Sequence, residues 1–136
     1  MAQPSELLHR LATHTRPFWE AIGRHELMLP KCLACGVLHR FPMTTCPLCS
    51  SPGLELVKCS GRGKVYSYVV RYDAAMGFQM GAPNVIAVIE LEEGPNILSE
   101  IAGVDVEAGS IRVDMPVEIT YEDISNGITL FKFRPA

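Results

Sequence analysis

Two Cys-x-x-Cys pairs, Cys32-Leu33-Ala34-Cys35 and Cys46-Pro47-Leu48-Cys49, are separated by ten residues. A two-residue gap lets both thiolates of a pair point at one ion while backbone amides of the turn donate to the sulfurs. Two such turns brought together make a tetrahedral four-sulfur cage. Gly36 after the first pair and Pro47 inside the second are residue types that tight knuckles accept. Zinc is the default occupant, because a closed four-thiolate cage suits it and the sequence offers no open ligand position for catalysis. Iron in the same cage is the alternative, since Cys-Pro-x-Cys knuckles also serve one-iron electron carriers. Reduced structural cysteines or two redox pairs compete with both, but a thioredoxin-type motif needs one pair in a strand-to-helix setting that is absent here.

Other chemistry is sparse. Cys59 stands outside the pairs in a strand context and reads as a buried structural thiol. His9, His14, His25 and His39 sit at no ligand or triad spacing; His39 is near enough to the cage to neighbour it, although a solvated loop histidine is the expected reading. Ser60-Gly61-Arg62-Gly63-Lys64 suggests a phosphate loop but lacks the Walker spacing and leads into a strand, so it reads first as a turn. Even so, Arg62, Lys64, Lys58 and Arg40 form the one basic cluster, where a phosphate-bearing ligand would dock. The stretch 74–82, with Met76, Phe78 and Met80, is apolar where solvated loops are polar. It is expected to meet the chain's own barrel mouth, a partner protein or an apolar ligand arm.

Three segments of different texture must position these groups. Residues 1–26 read as a helical arm: Ser5 caps a first helix after Pro4, and Pro17 opens a second that carries Phe18, Trp19 and Ile22 and ends at Gly23. Residues 27–56 are dense in Cys, Pro and Gly and read as two small hairpins with too little core to stand unaided. Residues 57–136 carry five strand signals, at 64–72, 85–91, 96–101, 116–121 and 128–133, with a hairpin signal at Asn126-Gly127 and a short helical turn within 104–110. Five strands suit a small barrel better than a sandwich. Alternation along the first puts Tyr66, Tyr68 and Tyr72 on one face.

The 136 residues hold one ordinary domain's worth of chain, 48% apolar and 20% charged, with no biased tract and no membrane-length apolar run. With no signal-peptide core at the start, the expected location is the cytoplasm. Net charge is −3, but residues 65–136 carry four basic and eleven acidic side chains. An acidic main domain disfavours nucleic acid, whose binding relies on neutralised phosphates. A mean hydropathy of +0.16 is high for a small monomer and points to a buried interface.

Phe18-Trp19-Glu20-Ala21, Leu27-x-Leu29-Pro30-Lys31-Cys32, the two knuckles around Phe41-Pro42, Ser60-Gly61-x-Gly63-x-Val65-Tyr66-Ser67, Pro83-x-Val85-x-Ala87-x-Ile89-Glu90-Leu91 and Met115-Pro116-Val117 occur in the order seen in one family. From about Phe18 to the C-terminus the chain resembles the small zinc-ribbon plus OB-fold proteins associated with acyl-CoA enzymes, a domain of unknown function. The resemblance implies a mainly β chain with N-terminal helices, a rubredoxin-like zinc ribbon at 27–56 and a five-stranded OB-fold barrel at 57–136. It assigns one structural zinc to Cys32, Cys35, Cys46 and Cys49. It further implies a non-catalytic accessory subunit that braces a thiolase-like catalytic subunit and contributes to CoA or acyl-CoA binding; on that expectation the basic residues Arg62 and Lys64 would take the CoA phosphates, and the apolar Met76, Phe78 and Met80, read from the residues alone, would face a partner or ligand. Cys59 and the methionine-rich loop depart from the commoner family pattern. A single-stranded nucleic-acid binder is the alternative, because OB barrels and zinc ribbons both serve that use; an enzyme in its own right ranks behind it.

Overall fold

A computed structural model describes residues 15–40, 43–71, 84–106, 109–124 and 128–136. The first expected helix, the Met76, Phe78 and Met80 segment, Tyr72 and the Asn126-Gly127 turn lie outside them. Helix α1 spans Arg16–Gly23, with Thr15 at the N-cap and Pro17 in the first turn, where a missing N–H leaves no helical acceptor unpaired. Phe18, Ala21 and Ile22 are buried along one side at the helical spacing. Gly23 is the last helical residue, as expected, yet the chain is turned by His25 at φ 61, a left-handed conformation that glycine usually supplies.

The chain divides into two compact units. The first comprises the described residues up to Ser60 together with Tyr121–Phe131. In it, strands β1 (Leu27–Cys32) and β2 (Leu54–Cys59) pair antiparallel, Leu29 opposite Val57 and Cys32 opposite Leu54. Two local hairpins were the expectation; instead β1 pairs across the whole cysteine segment, and the first knuckle keeps a single bridge, Lys31 to Leu38. That bridge is flanked by Cys32 N–H to Val37 O at 2.9 Å and His39 N–H to Pro30 O at 2.8 Å, while Gly36 N–H to Cys32 O at 2.8 Å closes the turn between them. Leu27, Leu29 and Cys32 join Phe18, Ala21 and Ile22 in the core, and the rings of Phe18 and Trp19 each lie 6.0 Å from that of Phe131.

The second unit comprises Gly61–Thr120, with Lys132–Ala136, among the described residues. Strands β3 (Arg62–Arg71), β4 (Asn84–Leu91), β5 (Asn96–Ile101), β6 (Pro116–Ile124) and β7 (Ile128–Pro135) close into a barrel in the order β3-β4-β5-β7-β6, which is the expected five-stranded architecture. Strict alternation along β4 buries Val85, Ala87, Ile89 and Leu91, and Val65, Ile97, Ile101, Ile111, Met115, Val117 and Phe133 are buried as well. A bulge breaks the β3–β4 register between Val65 and Ser67. The extra residue moves Tyr68 opposite buried Ala87 and leaves Tyr66 58% exposed, so these two tyrosines do not share a face as alternation alone predicts. In the expected helical turn, residues 107–108 are not described; its flanks make turn bonds, Gly109 N–H to Val106 O and Ser110 N–H to Asp105 O, both at 3.1 Å.

Candidate metal centre

The Sγ atoms of Cys32, Cys35, Cys46 and Cys49 all lie within 4.8 Å of one another. Cys32 and Cys49 sulfurs are 3.5 Å apart and those of Cys35 and Cys46 3.8 Å. A tetrahedron of sulfurs about 2.3 Å from a zinc ion has edges of about 3.8 Å, so the donor set fits a closed four-thiolate ion and leaves no position for a substrate.

Each knuckle is shaped by a backbone reversal after its second cysteine. Gly36 at φ 79 and Ser50 at φ 63 occupy matching positions, and their N–H groups donate to Cys32 O and Cys46 O, both at 2.8 Å. Leu33 N–H donates to Gly53 O at 2.9 Å, tying the first knuckle to the chain that follows the second. The sulfurs are unequal. The Cys35 backbone N–H, 3.4 Å from the Cys32 sulfur, is the main reason that the Cys32 thiol falls to about 6. For Cys49 the backbone bond from Ser51 acts in the same sense but is overcome by the Cys32 sulfur, burial and the neighbouring cysteines, which push its thiol up to about 12. Protons crowded into one cage in this way are what a divalent ion displaces on binding.

His39 is not a solvated loop residue. It is 8% exposed, its backbone N–H donates to Pro30 O at 2.8 Å, and Nε2 lies 3.3 Å from the Cys46 sulfur. Docking onto β1 turns the ring inward, a pairing that the sequence spacing does not announce. Cys59 is buried, as expected.

The other singled-out cations are exposed, and Arg62 and Lys64 sit among acids. Arg62 Nε is 3.4 Å from Glu92, and Lys64 Nζ is 3.6 Å from Glu90 and 3.8 Å from Asp114. Arg40 and Lys58 belong to the first unit. The glycines between them have a steric cause: a Cβ on Gly61 would meet the Ile119 side chain, and one on Gly63 the backbone carbonyl of Glu90. This supports the turn over the phosphate loop.

Sequence reasoning missed one cluster. His25 Nε2 contacts the Asp123 carboxylate, Thr129 donates its hydroxyl to the same carboxylate at 2.6 Å, and the His25 ring stacks on Tyr121 at 4.7 Å. No local signal could have found it, since His25 and Asp123 lie 98 residues apart.

Residues 19–55 match the rubredoxin-like zinc ribbon domain of ChsH2, and residues 56–122 its C-terminal OB-fold domain. A DUF35 domain-containing scaffold protein of Methanothermobacter thermautotrophicus is 36% identical over 92% of this chain and 98% of its own length. A probable enoyl-CoA hydratase alpha subunit of Thermomonospora curvata is 35% identical over 88% of this chain, which spans only 37% of that protein. Benzoylsuccinyl-CoA thiolase subunit BbsA of Thauera aromatica is 33% identical, covering 76% of this chain and 72% of BbsA. Among solved structures, a chain of the "Ltp2-ChsH2(DUF35) aldolase" superposes with a TM-score of 0.80 at 31% identity, over 93% of this chain and 97% of the other.

Proposed function

This chain belongs to the DUF35 family of ChsH2-like zinc-ribbon and OB-fold proteins, and from that premise we propose that it is a non-catalytic accessory subunit of a thiolase-like acyl-CoA enzyme. The observation that carries the reading is the near full-length likeness to a chain of the Ltp2-ChsH2 aldolase, and the BbsA relative, itself named a thiolase subunit, points the same way. One zinc held by Cys32, Cys35, Cys46 and Cys49 cross-links two loops that have little core of their own. Bound there, the ion supplies structure and no reaction step, because all four positions are filled by thiolates.

The barrel carries the ligand part of the reading. Arg62 and Lys64 reach solvent beside one another on β3, and a CoA phosphate would compete with Glu90, Glu92 and Asp114 for them. The split of Tyr66 from Tyr68 removes part of the stacking face that a nucleic-acid reading uses.

The test is purification of the tagged chain from its native cells with mass spectrometry of its companions. A stoichiometric thiolase-type subunit, with acyl-CoA turnover by the pair and none by this chain alone, is the expected result. Turnover by the isolated, zinc-loaded chain, or recovery of nucleic acid alone, overturns the reading.

A further inference from the structure

His39 is the buried polar side chain that the fold places directly against one of the four sulfurs. Its Nε2 is 3.3 Å from Cys46 Sγ, whereas among the described residues the cluster of atoms that share mutual ligand distance contains only the four cysteines. The ring is therefore a neighbour of the cage and not a fifth ligand. A metal-bound thiolate carries no proton and can only accept, so in the loaded site the hydrogen on this contact must sit on Nε2. Donation of this kind draws electron density from the sulfur and orients it, as outer groups do at other metal sites.

The rest of the cage is asymmetric in exposure. Cys32 and Cys46 are buried, while Cys35 and Cys49 are exposed. Cys32 receives the backbone N–H of Cys35 at 3.4 Å, and Cys46 receives His39. The exposed sulfurs accept backbone N–H groups in turn, Cys35 from Val37 and Cys49 from Ser51, so what sets Cys46 apart is a side-chain donor.

Resting on the reading that the ribbon holds a metal, we propose that His39 is a positioning residue that donates its Nε2–H to the Cys46 thiolate. The donation makes Cys46 less nucleophilic than it would be without the ring, and electrophiles reach the site through the exposed Cys35 and Cys49. In an alkylation by iodoacetamide, the thiolate attacks carbon and iodide leaves. The partner that loses the hydrogen bond reacts faster.

The experiment uses the full chain loaded with cobalt(II) as a spectroscopic substitute, in wild type, His39→Leu and His39→Gln; glutamine keeps an N–H donor at similar reach. His39→Leu is expected to move the sulfur-to-cobalt charge-transfer band to lower energy. Alkylation of Cys46, followed by peptide mass spectrometry, should quicken about tenfold, the lower end of what a hydrogen bond to a charged group supplies. His39→Gln is expected to restore both. An unchanged band and unchanged Cys46 reactivity in His39→Leu overturn the proposal. If His39→Leu takes up no metal, His39→Gln decides: recovered loading with a wild-type band supports donation, and failure like that of leucine overturns it. A wild-type protein without a four-thiolate cobalt spectrum overturns the metal reading, and this proposal with it.

Discussion

The imidazole of His25 meets both carboxylate oxygens of Asp123 at 3.1 Å, joining the turn after α1 to strand β6 within one compact unit. The Thr129 hydroxyl, then His25, hold the Asp123 carboxyl below its ordinary value. A carboxyl depressed in the folded state adds stability that is fully present above its unfolded pKa, about 3.9, and is lost as pH falls through the lower folded value. Asp123→Asn is expected to lower the melting temperature slightly at pH 7, because both partners are exposed and solvent screens them. The difference from wild type should persist to about pH 4 and close below it. Thermal melts at pH 7 and pH 3 check this; an equal deficit at both would show that the carboxylate charge is not involved.

Metal removal should act locally. Structural zinc sites in finger peptides contribute about 10–16 kcal/mol of apparent binding energy near neutral pH. Between β1 and β2, no strand or helix is present among the described residues. A strong chelator is therefore expected to expose the chain between Cys32 and Leu54 to protease while the circular dichroism of the barrel strands survives. Protection unchanged by chelation would refute the zinc-braced ribbon.

Ser50 is a residue with a Cβ in a conformation that favours none. Its φ of 63 matches the 79 of Gly36 in the first knuckle, where glycine is present. Ser50→Gly is expected to stabilise the loaded ribbon by about 1 kcal/mol, and Gly36→Ala to destabilise it by about 1–2 kcal/mol. Competition against a colorimetric chelator reads both. A Ser50→Gly protein that loses its metal more readily than wild type contradicts the strain argument.

Much of this was legible in the residues, for a physical reason that varies by site. The four-cysteine cage is a matter of local spacing, and β4 alternates without a break, so both follow from short stretches of chain. The placement of Tyr68 does not, because one inserted residue at the bulge reverses which side of β3 a side chain takes, and nothing in Val65-Tyr66-Ser67 announces it. The pairing of Leu29 with Val57 and the contact of His25 with Asp123 depend on chain closure over long separations, and the contact of His39 with Cys46, only seven residues away, depends on how the segment between them folds back. Spacing rules do not register such closure.

Gly63 separates the two meanings of the Ser60-Gly61-Arg62-Gly63-Lys64 run. A Cβ there would strike the Glu90 carbonyl oxygen and crowd Ile89 Cγ2, and Glu90 is fixed because Gly63 and Lys64 pair with Leu91 and Glu90 in the ladder. Backbone cannot retreat as a flexible side chain would. Overpacking of a well-packed site costs about 1–3 kcal/mol, so Gly63→Ala should lose about that much in urea denaturation. Gly23→Ala, with nothing within 4 Å of the added carbon, should not. If instead Gly63→Ala were as stable as wild type but lost affinity for CoA, the glycine would be present to let a phosphate approach the backbone, and the steric account of this turn would fail.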